Sequence, residues 1–422
     1  MSSAMIFILV GFNLGLIFLL MAAPIGVRTF TLTRTVKASR QKLWDALWPL
    51  GPDAGWSGEI VKATGIGGSG GQAWLQLSHE GRDGNPIERH VVFDNVIDKI
   101  RFTMRVNEDS SLDKSFWQNY RAEVGLADDG SGATRVTFSR TDRYRGFAFM
   151  IFRYFAARRE LAKLDHWART GEYRRGGIFE HPVTQVGLAV LSTFLIWPFF
   201  GLTFEGFIFS AALTSVVALH ELGHMAAFRL MGHKKVRMIF VPLLGGIAIG
   251  GRPYDSRFEV AFSALMGAGF SAFFVPLAIA GSAVASTQNM PNLSTTLVIF
   301  GVFLGLFNLA NLVPVWKFDG GQVLRQICPG PIWLALSSFG LLAAFLGLGY
   351  TLGLSPQLLF GVGTVVAILS LLTTGSAVKP RWELKPILNP ERYALAGGLL
   401  AVFSVHAMSV FWAASTLAAA AT

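Results

Sequence analysis

Residues 218–228 read ALHELGHMAAF and lie inside a predominantly apolar run from 206 to 231. A helix turns about 100° and rises about 1.5 Å per residue, which leaves His220 and His224 about 40° apart and roughly 6 Å apart along the axis. Both imidazoles can therefore face one cation. Glu221, about 100° further round, falls beside that point, where a carboxylate can take a proton from water. Ionisable groups in the middle of an apolar span are costly, about 2.5–3.5 kcal/mol for an Asp or a basic residue on insertion scales, so function is their default explanation. Polar bridging between helices is the other reading.

The rest of the chain supports a lipid setting for that run. Of 422 residues, 52% are hydrophobic and 15% charged, and the mean hydropathy is +0.47, which excludes a simple soluble globular protein. The uncharged residues 1–27 read as an uncleaved span, and further apolar stretches lie near 184–202, 206–231, 257–285, 295–316, 332–352, 356–375 and 393–418. Each is close to the roughly 20 residues needed to cross a bilayer, giving a multi-span α-helical membrane protein of about eight spans. Of 36 Lys and Arg, 24 fall in 28–175 and the rest cluster between apolar runs. That pattern argues against nucleic acid. With both termini outside, every basic residue falls on or beside the inner side. The expected location is a bacterial-type plasma (inner) membrane with 28–173 cytoplasmic. The single cysteine, Cys328, excludes an intramolecular disulfide and any multi-cysteine metal site.

Between Arg28 and Tyr173 the texture is that of a soluble α+β domain. FTLTRTVKA alternates like a strand, and SRQKLWDALWPL follows as a helix with a Ser cap. Short strands end in RAEVGLADDGSGATRVTFSRT, and a basic helix runs from about Phe147 to Arg169. This order resembles the START-like or polyketide-cyclase (SRPBCC) helix-grip superfamily. The resemblance implies an apolar ligand held between sheet and long helix; a packed domain used for protein contacts is the equal alternative. GIGGSGG at 65–71 precedes AWLQLSH, which alternates like a strand, so a hairpin loop is expected there and not a phosphate cradle.

A catalytic zinc takes three protein ligands and leaves one position open. Six residues after His224 stands Leu230, and His233 lies past the expected helix end, so a third histidine at metzincin spacing is excluded. Glu259, beside Arg257, is one carboxylate candidate and reads more simply as an interfacial ion. Asp319, in NLANLVPVWKFDGG, is the better one. HELGH in one span, with Asn311, Pro314, Asp319 and Gly320 in a later one, resembles the site-2 protease family of intramembrane zinc metalloproteases over about 206–325. The resemblance implies that His220, His224 and Asp319 hold zinc, that Glu221 is the general base, and that Asn311 lies near the scissile peptide. Trp316, Lys317 and Phe318 depart from the family pattern and leave the ligand set intact. Independently, Pro314 removes a backbone donor and frees the carbonyl of Ala310, so the span should loosen there. Asn308 reads as an interhelical hydrogen-bonder, and the lone His406 as a packing residue.

VRMIFVPLLGGIAIGGRPYD is too short and apolar for a soluble insert. Its Gly245–Gly246 step resembles the membrane-associated strand of the family and reads as an edge for an extended substrate, with a re-entrant connector as the alternative. The expected organisation is an anchor at 1–27, the cytoplasmic helix-grip domain at 28–173, a protease-like core at 174–330 and C-terminal spans at 331–422. The expected activity is zinc-dependent hydrolysis of a peptide bond in or near the transmembrane segment of a membrane-protein substrate, in regulated intramembrane proteolysis. The rival is a membrane-anchored receptor or carrier for an apolar ligand with an inactive core.

Overall fold

The computed structural model describes residues 15, 18–19, 23–67, 71–173, 181–241, 243, 245–315, 317–373 and 382–420. The chain divides into two compact units, Met1–Arg175 with Gly375–Glu383 and Gly176–Thr374 with Leu384–Thr422.

In the first unit, Pro24–Val36 (β1) leads to Arg40–Leu47 (α1), which Ser39 caps by accepting from the amide of Lys42 at 3.3 Å. Then come Ile60–Gly65 (β2), Gln72–Glu80 (β3), Pro86–Ile97 (β4), Arg101–Asp109 (β5), the short helix Lys114–Trp117 (α2), Arg121–Asp128 (β6) and Thr134–Arg145 (β7). Phe147–Thr170 (α3) closes the unit. The seven strands form one antiparallel sheet in the order β1-β7-β6-β5-β4-β3-β2, a helix-grip-like arrangement. Gly65 pairs with Ala73 where β2 returns as β3, so the glycine-rich stretch closes a hairpin; its residues 68–70 lie outside the described ones.

Alternation decides which face is buried. In β7, Val136 and Phe138 are buried while their neighbours Arg135 and Thr137 are not. They pack with Leu43, Trp44, Phe102, Leu161 and Leu164, so α1 and the second half of α3 cover one face of the sheet. Trp44 stacks on Trp48 with centroids 5.5 Å apart, and both meet Phe102 edge-on.

The second unit contains Pro182–Ile196 (α4), Phe204–Leu230 (α5), the strands Arg237–Val241 (β8) and Gly245–Ile249 (β9), Arg257–Ala272 (α6) and Phe274–Thr287 (α7). Pro291–Asn311 (α8), Asp319–Ile327 (α9), Pro331–Thr351 (α10), Pro356–Thr373 (α11) and Asn389–Ala420 (α12) complete it. Among the described residues, six helical stretches are long and apolar enough to cross a membrane: Pro182–Phe200, Phe204–Leu230, Arg257–Thr287, Pro291–Asn311, Pro331–Thr351 and Asn389–Ala420. They mark a membrane protein. The expected first span falls almost wholly outside the described residues, and the span expected at 356–375 shows a shorter apolar helix over Pro356–Leu369.

Two expected spans differ in detail. The stretch expected at 257–285 is interrupted at Phe273, between α6 and α7; Pro276 lacks an amide hydrogen and crowds the carbonyl four residues back, at Ala272. The span expected to reach 316 stops at Asn311, because Pro314 disfavours helical geometry at the residue before it and removes an amide donor. The carbonyl of Ala310, freed as expected, accepts from the amide of Val313 at 3.4 Å in a tightened turn. α6 packs on α5, α9 and α12, and α8 packs on α5, α7 and α12.

Phe138 is fully buried in the core of the first unit. Phe138→Ala should cost that unit about 3–5 kcal/mol, seen as faster hydrogen exchange of the β7 amides with no change in the helices of the second unit.

Candidate metal centre

His220 and His224 sit one turn apart on α5, and Asp319 opens α9. The turn before α9 folds back so closely that a Cβ at Gly320 would stand 1.9 Å from the carbonyl oxygen of Leu312. The result is a convergence of three ligand atoms. His220 Nε2 lies 3.0 Å from Asp319 Oδ2, His224 Nε2 lies 3.5 Å from the same oxygen, and the two Nε2 atoms are 3.1 Å apart. Among the described residues this is the group of His, Cys, Asp and Glu side chains placed to hold a metal ion. His220 and Asp319 are buried and His224 half-buried.

The outer nitrogens decide what the inner ones can be. His220 Nδ1 is 2.8 Å from Asn308 Oδ1, and the amide of Asn308 is oriented by donating through Nδ2 to the carbonyl of Leu304 at 2.7 Å. His224 Nδ1 is 2.7 Å from the carbonyl of Ser263. Both partners are acceptors, so both Nδ1 atoms donate, and in the neutral rings both Nε2 atoms present lone pairs. Asp319 Oδ2 is buried and has no hydrogen-bond partner among the described residues; its approach to the histidines lacks hydrogen-bond geometry. Three electron-rich atoms thus face one point, an arrangement that repels itself unless a cation occupies the centre. The residues fit a metal.

Backbone makes room for it. A Cβ at Gly267 on α6 would lie 2.6 Å from His224 Cε1 and Nε2 and 2.7 Å from His220 Cε1. Gly267 and the Ser263 carbonyl are site features that sequence reasoning did not assign, whereas Asn308, read as an interhelical hydrogen-bonder, makes that bond to His220. Asn308 had a signal, a polar residue in an apolar run. Gly267, in ALMGAGFSA, has none that separates it from helix packing.

Glu221 is half-buried, and its Oε2 accepts from the amide of Ala248 in β9 at 2.8 Å. Gly246 allows that approach, since a Cβ there would stand 2.4 Å from Glu221 Cγ. Gly245 opens β9 with φ +105°. The opposite strand is held from α4: Gln185 Oε1 accepts from the amide of Phe240, and Ser192 Oγ from that of Leu243 just beyond β8 at 3.2 Å. The hairpin therefore lies between α4 and α5, with β9 against Glu221. Asn311 is half-buried at the end of α8 and donates through Nδ2 to the carbonyl of Phe307 at 3.0 Å. Trp316 lies outside the described residues, Lys317 is exposed and Phe318 half-buried.

Glu259, the other carboxylate candidate, pairs with His233 and Arg252 instead. His233 Nε2 lies 2.6 Å from Glu259 Oε1, and Arg252 Nη2 lies 2.8 Å from the same atom. His406 is buried and donates through Nε2 to the carbonyl of Ala268 at 2.9 Å, a packing role between α12 and α6.

Replacing His220, His224 or Asp319 by Ala should strip the purified chain of stoichiometric metal, because two remaining ligands seldom hold it. Asn308→Ala should keep the metal but weaken its affinity by about 10–100-fold, the usual effect of removing an outer partner of a ligating histidine. Chelator competition measures both. Wild-type affinity in Asn308→Ala would show that this contact does not orient the ring.

No family model matches the sequence. The chain is 27% identical over 146 residues to a zinc metalloprotease of Methanocaldococcus jannaschii, a match covering 34% of this chain and 39% of that protein. The chain thus spans about two fifths of the length of the curated relative it matches. Among solved structures it is similar to the Aha1 dimer of Colwellia psychrerythraea (15% identity, TM-score 0.27, 34% of this chain and 98% of that one). It is also similar to a START superfamily protein of Mycobacterium smegmatis (14% identity, TM-score 0.25, 32% and 92%).

Proposed function

We propose that the chain is an intramembrane zinc metalloendopeptidase that hydrolyses a peptide bond in or near the transmembrane segment of a membrane-protein substrate, in regulated intramembrane proteolysis. The observation that carries this reading is the convergence of His220 Nε2, His224 Nε2 and Asp319 Oδ2 at 3.0–3.5 Å. Nitrogen and oxygen ligands about 2.0–2.1 Å from a tetrahedral zinc stand about 3.3 Å apart, so the donor set and its spacing both suit that ion. The likeness to an archaeal zinc metalloprotease supports the same chemistry.

Zinc, when bound, supplies a Lewis acid that polarises a carbonyl and lowers the pKa of water. Glu221 takes the proton of the attacking water and returns it to the leaving amine. Asn308 and the Ser263 carbonyl hold the two rings with Nε2 inward. Asn311 orients the substrate backbone. An extended substrate pairs with β9 at Gly245 and Gly246, and the amide of Ala248, which now holds Glu221, is the donor such a strand would take up. Substrate binding then frees the base at the moment it is needed.

The 28–173 domain is read as cytoplasmic, the 1–27 segment as its anchor, 174–330 as the protease core and 331–422 as additional spans, in a bacterial-type inner membrane. Charge supports that orientation, since every Lys and Arg then falls on or beside the inner side. An apolar ligand with a polar head is the proposed partner of the domain. In its favour, Arg140 Nη1, Tyr144 Oη and Trp117 Nε1 are buried without hydrogen-bond partners among the described residues.

Glu221→Gln should retain metal and lower cleavage of a confirmed substrate by about 10²–10⁴-fold. Cleavage at the wild-type rate would move water activation to another group. Cysteine labelling at positions 2, 100, 290 and 420 of a chain lacking Cys328 should find only position 100 protected from an impermeant reagent added outside; labelling at 100 would reverse the orientation.

A further inference from the structure

α3 is two helices in one. Its second half buries Ala157, Leu161, Leu164, Trp167 and Ala168 against the sheet. From Phe147 to Ala156 no residue is buried, although the sequence there is FAFMIFRYFA. Ile151, Phe152 and Phe155 leave 48, 54 and 49% of their surfaces uncovered. The one charge in this stretch, Arg153, turns inward, with Nη2 3.6 Å from the buried Asp142. At 100° per residue, Ile151, Phe152 and Phe155 share one side of the helix with the exposed Arg158 and Arg159 of the next turn. An apolar stripe of that size outside a core marks an interaction surface, and its abrupt change to arginine matches a helix that passes from acyl chains to phosphates.

Chain connectivity names the occupant. Pro24 pairs with Arg145, and the amide of Gly146 donates to the carbonyl of Ala23 at 2.9 Å. The start of α3 is therefore clamped to the residue where the uncharged 1–27 segment enters the sheet. Arg28, Arg143 and Arg145 are exposed around this end, as anionic headgroups would require.

We infer that the first turns of α3, from Phe147 to Phe155, lie in the headgroup–acyl boundary of the bilayer with Arg158 and Arg159 at the phosphates. The helix-grip domain is thereby held to the membrane at a second point beside its anchor. The inference rests on reading 1–27 as a membrane span, and the test separates the two. In full-length protein carrying Cys328→Ala, nitroxides are placed singly by Leu16→Cys, Glu123→Cys, Phe152→Cys and Phe155→Cys. The protein is reconstituted in nanodiscs of phosphatidylcholine and phosphatidylglycerol, and each label is read by power saturation with oxygen and with a water-soluble nickel chelate.

Positions 152 and 155 should show an oxygen-to-nickel ratio several-fold above that of the exposed sheet position 123, approaching that of position 16. A ratio at 152 and 155 equal to that at 123, with position 16 in lipid, overturns the inference and leaves the anchor standing. Low accessibility to both reagents at 152 and 155 also overturns it, since protein then covers the patch. A water-like ratio at position 16 removes the anchor itself.

Discussion

Three electron-rich atoms facing one another at 3.0–3.5 Å are the constraint around which the second unit is organised. In a medium of low polarity such a convergence is unfavourable by itself, and a fold that retains it must hold each atom from behind. α8 contributes Asn308 to one ring, α6 contributes the Ser263 carbonyl to the other, and α9 delivers the carboxylate. The same α6 supplies Gly267, whose missing side chain leaves space for both rings. Four helices are thus tied to one point, and each tie is a polar contact or a close approach that a purely apolar bundle would lack.

The hairpin beside this centre obeys a related rule. Backbone amides away from water must find partners. Here side chains supply them on both edges. Gln185 and Ser192 take the amides of Phe240 and Leu243 from the α4 side, and Glu221 takes that of Ala248 from the α5 side. The proposed base is therefore also a structural partner of β9, which couples the shape of the hairpin to the availability of the carboxylate.

The sequence made legible what depends on side-chain spacing. HELGH places two imidazoles on one helical face, and alternation in segments such as TRVTFSRT marks strands with one buried face. It left obscure what depends on backbone atoms or distant partners. The Ser263 carbonyl has no residue signature. Asn308 stood out as polar, but its partner His220 is 88 positions away. Pro276 was visible, yet the apolar run hides the break it causes at Phe273, because hydropathy does not register a missing amide. The exposure of Phe147–Phe155 was equally hidden, since an apolar helix end looks the same in sequence whether it enters a core or leaves one.

Two carboxylates on neighbouring elements show how the structure separates a site from a scaffold. Glu259 was a candidate ligand by type and position. Its Oε1 receives His233 and Arg252 at 2.6 and 2.8 Å, and its Oε2 receives the amide of Asp255 at 2.5 Å with Arg252 at 3.4 Å. Every lone pair is engaged, and removing any donor would leave a buried charge undercompensated. Such a carboxylate braces the entry to α6 and has no capacity for a metal. Asp319 Oδ2 is also buried, yet it lacks a hydrogen bond among the described residues and faces two imidazole nitrogens. A buried acceptor is ordinarily satisfied, and each exception calls for an ion or a chemical role. Saturation at Glu259 and its absence at Asp319 distinguish the two acids more sharply than residue type or chain spacing does.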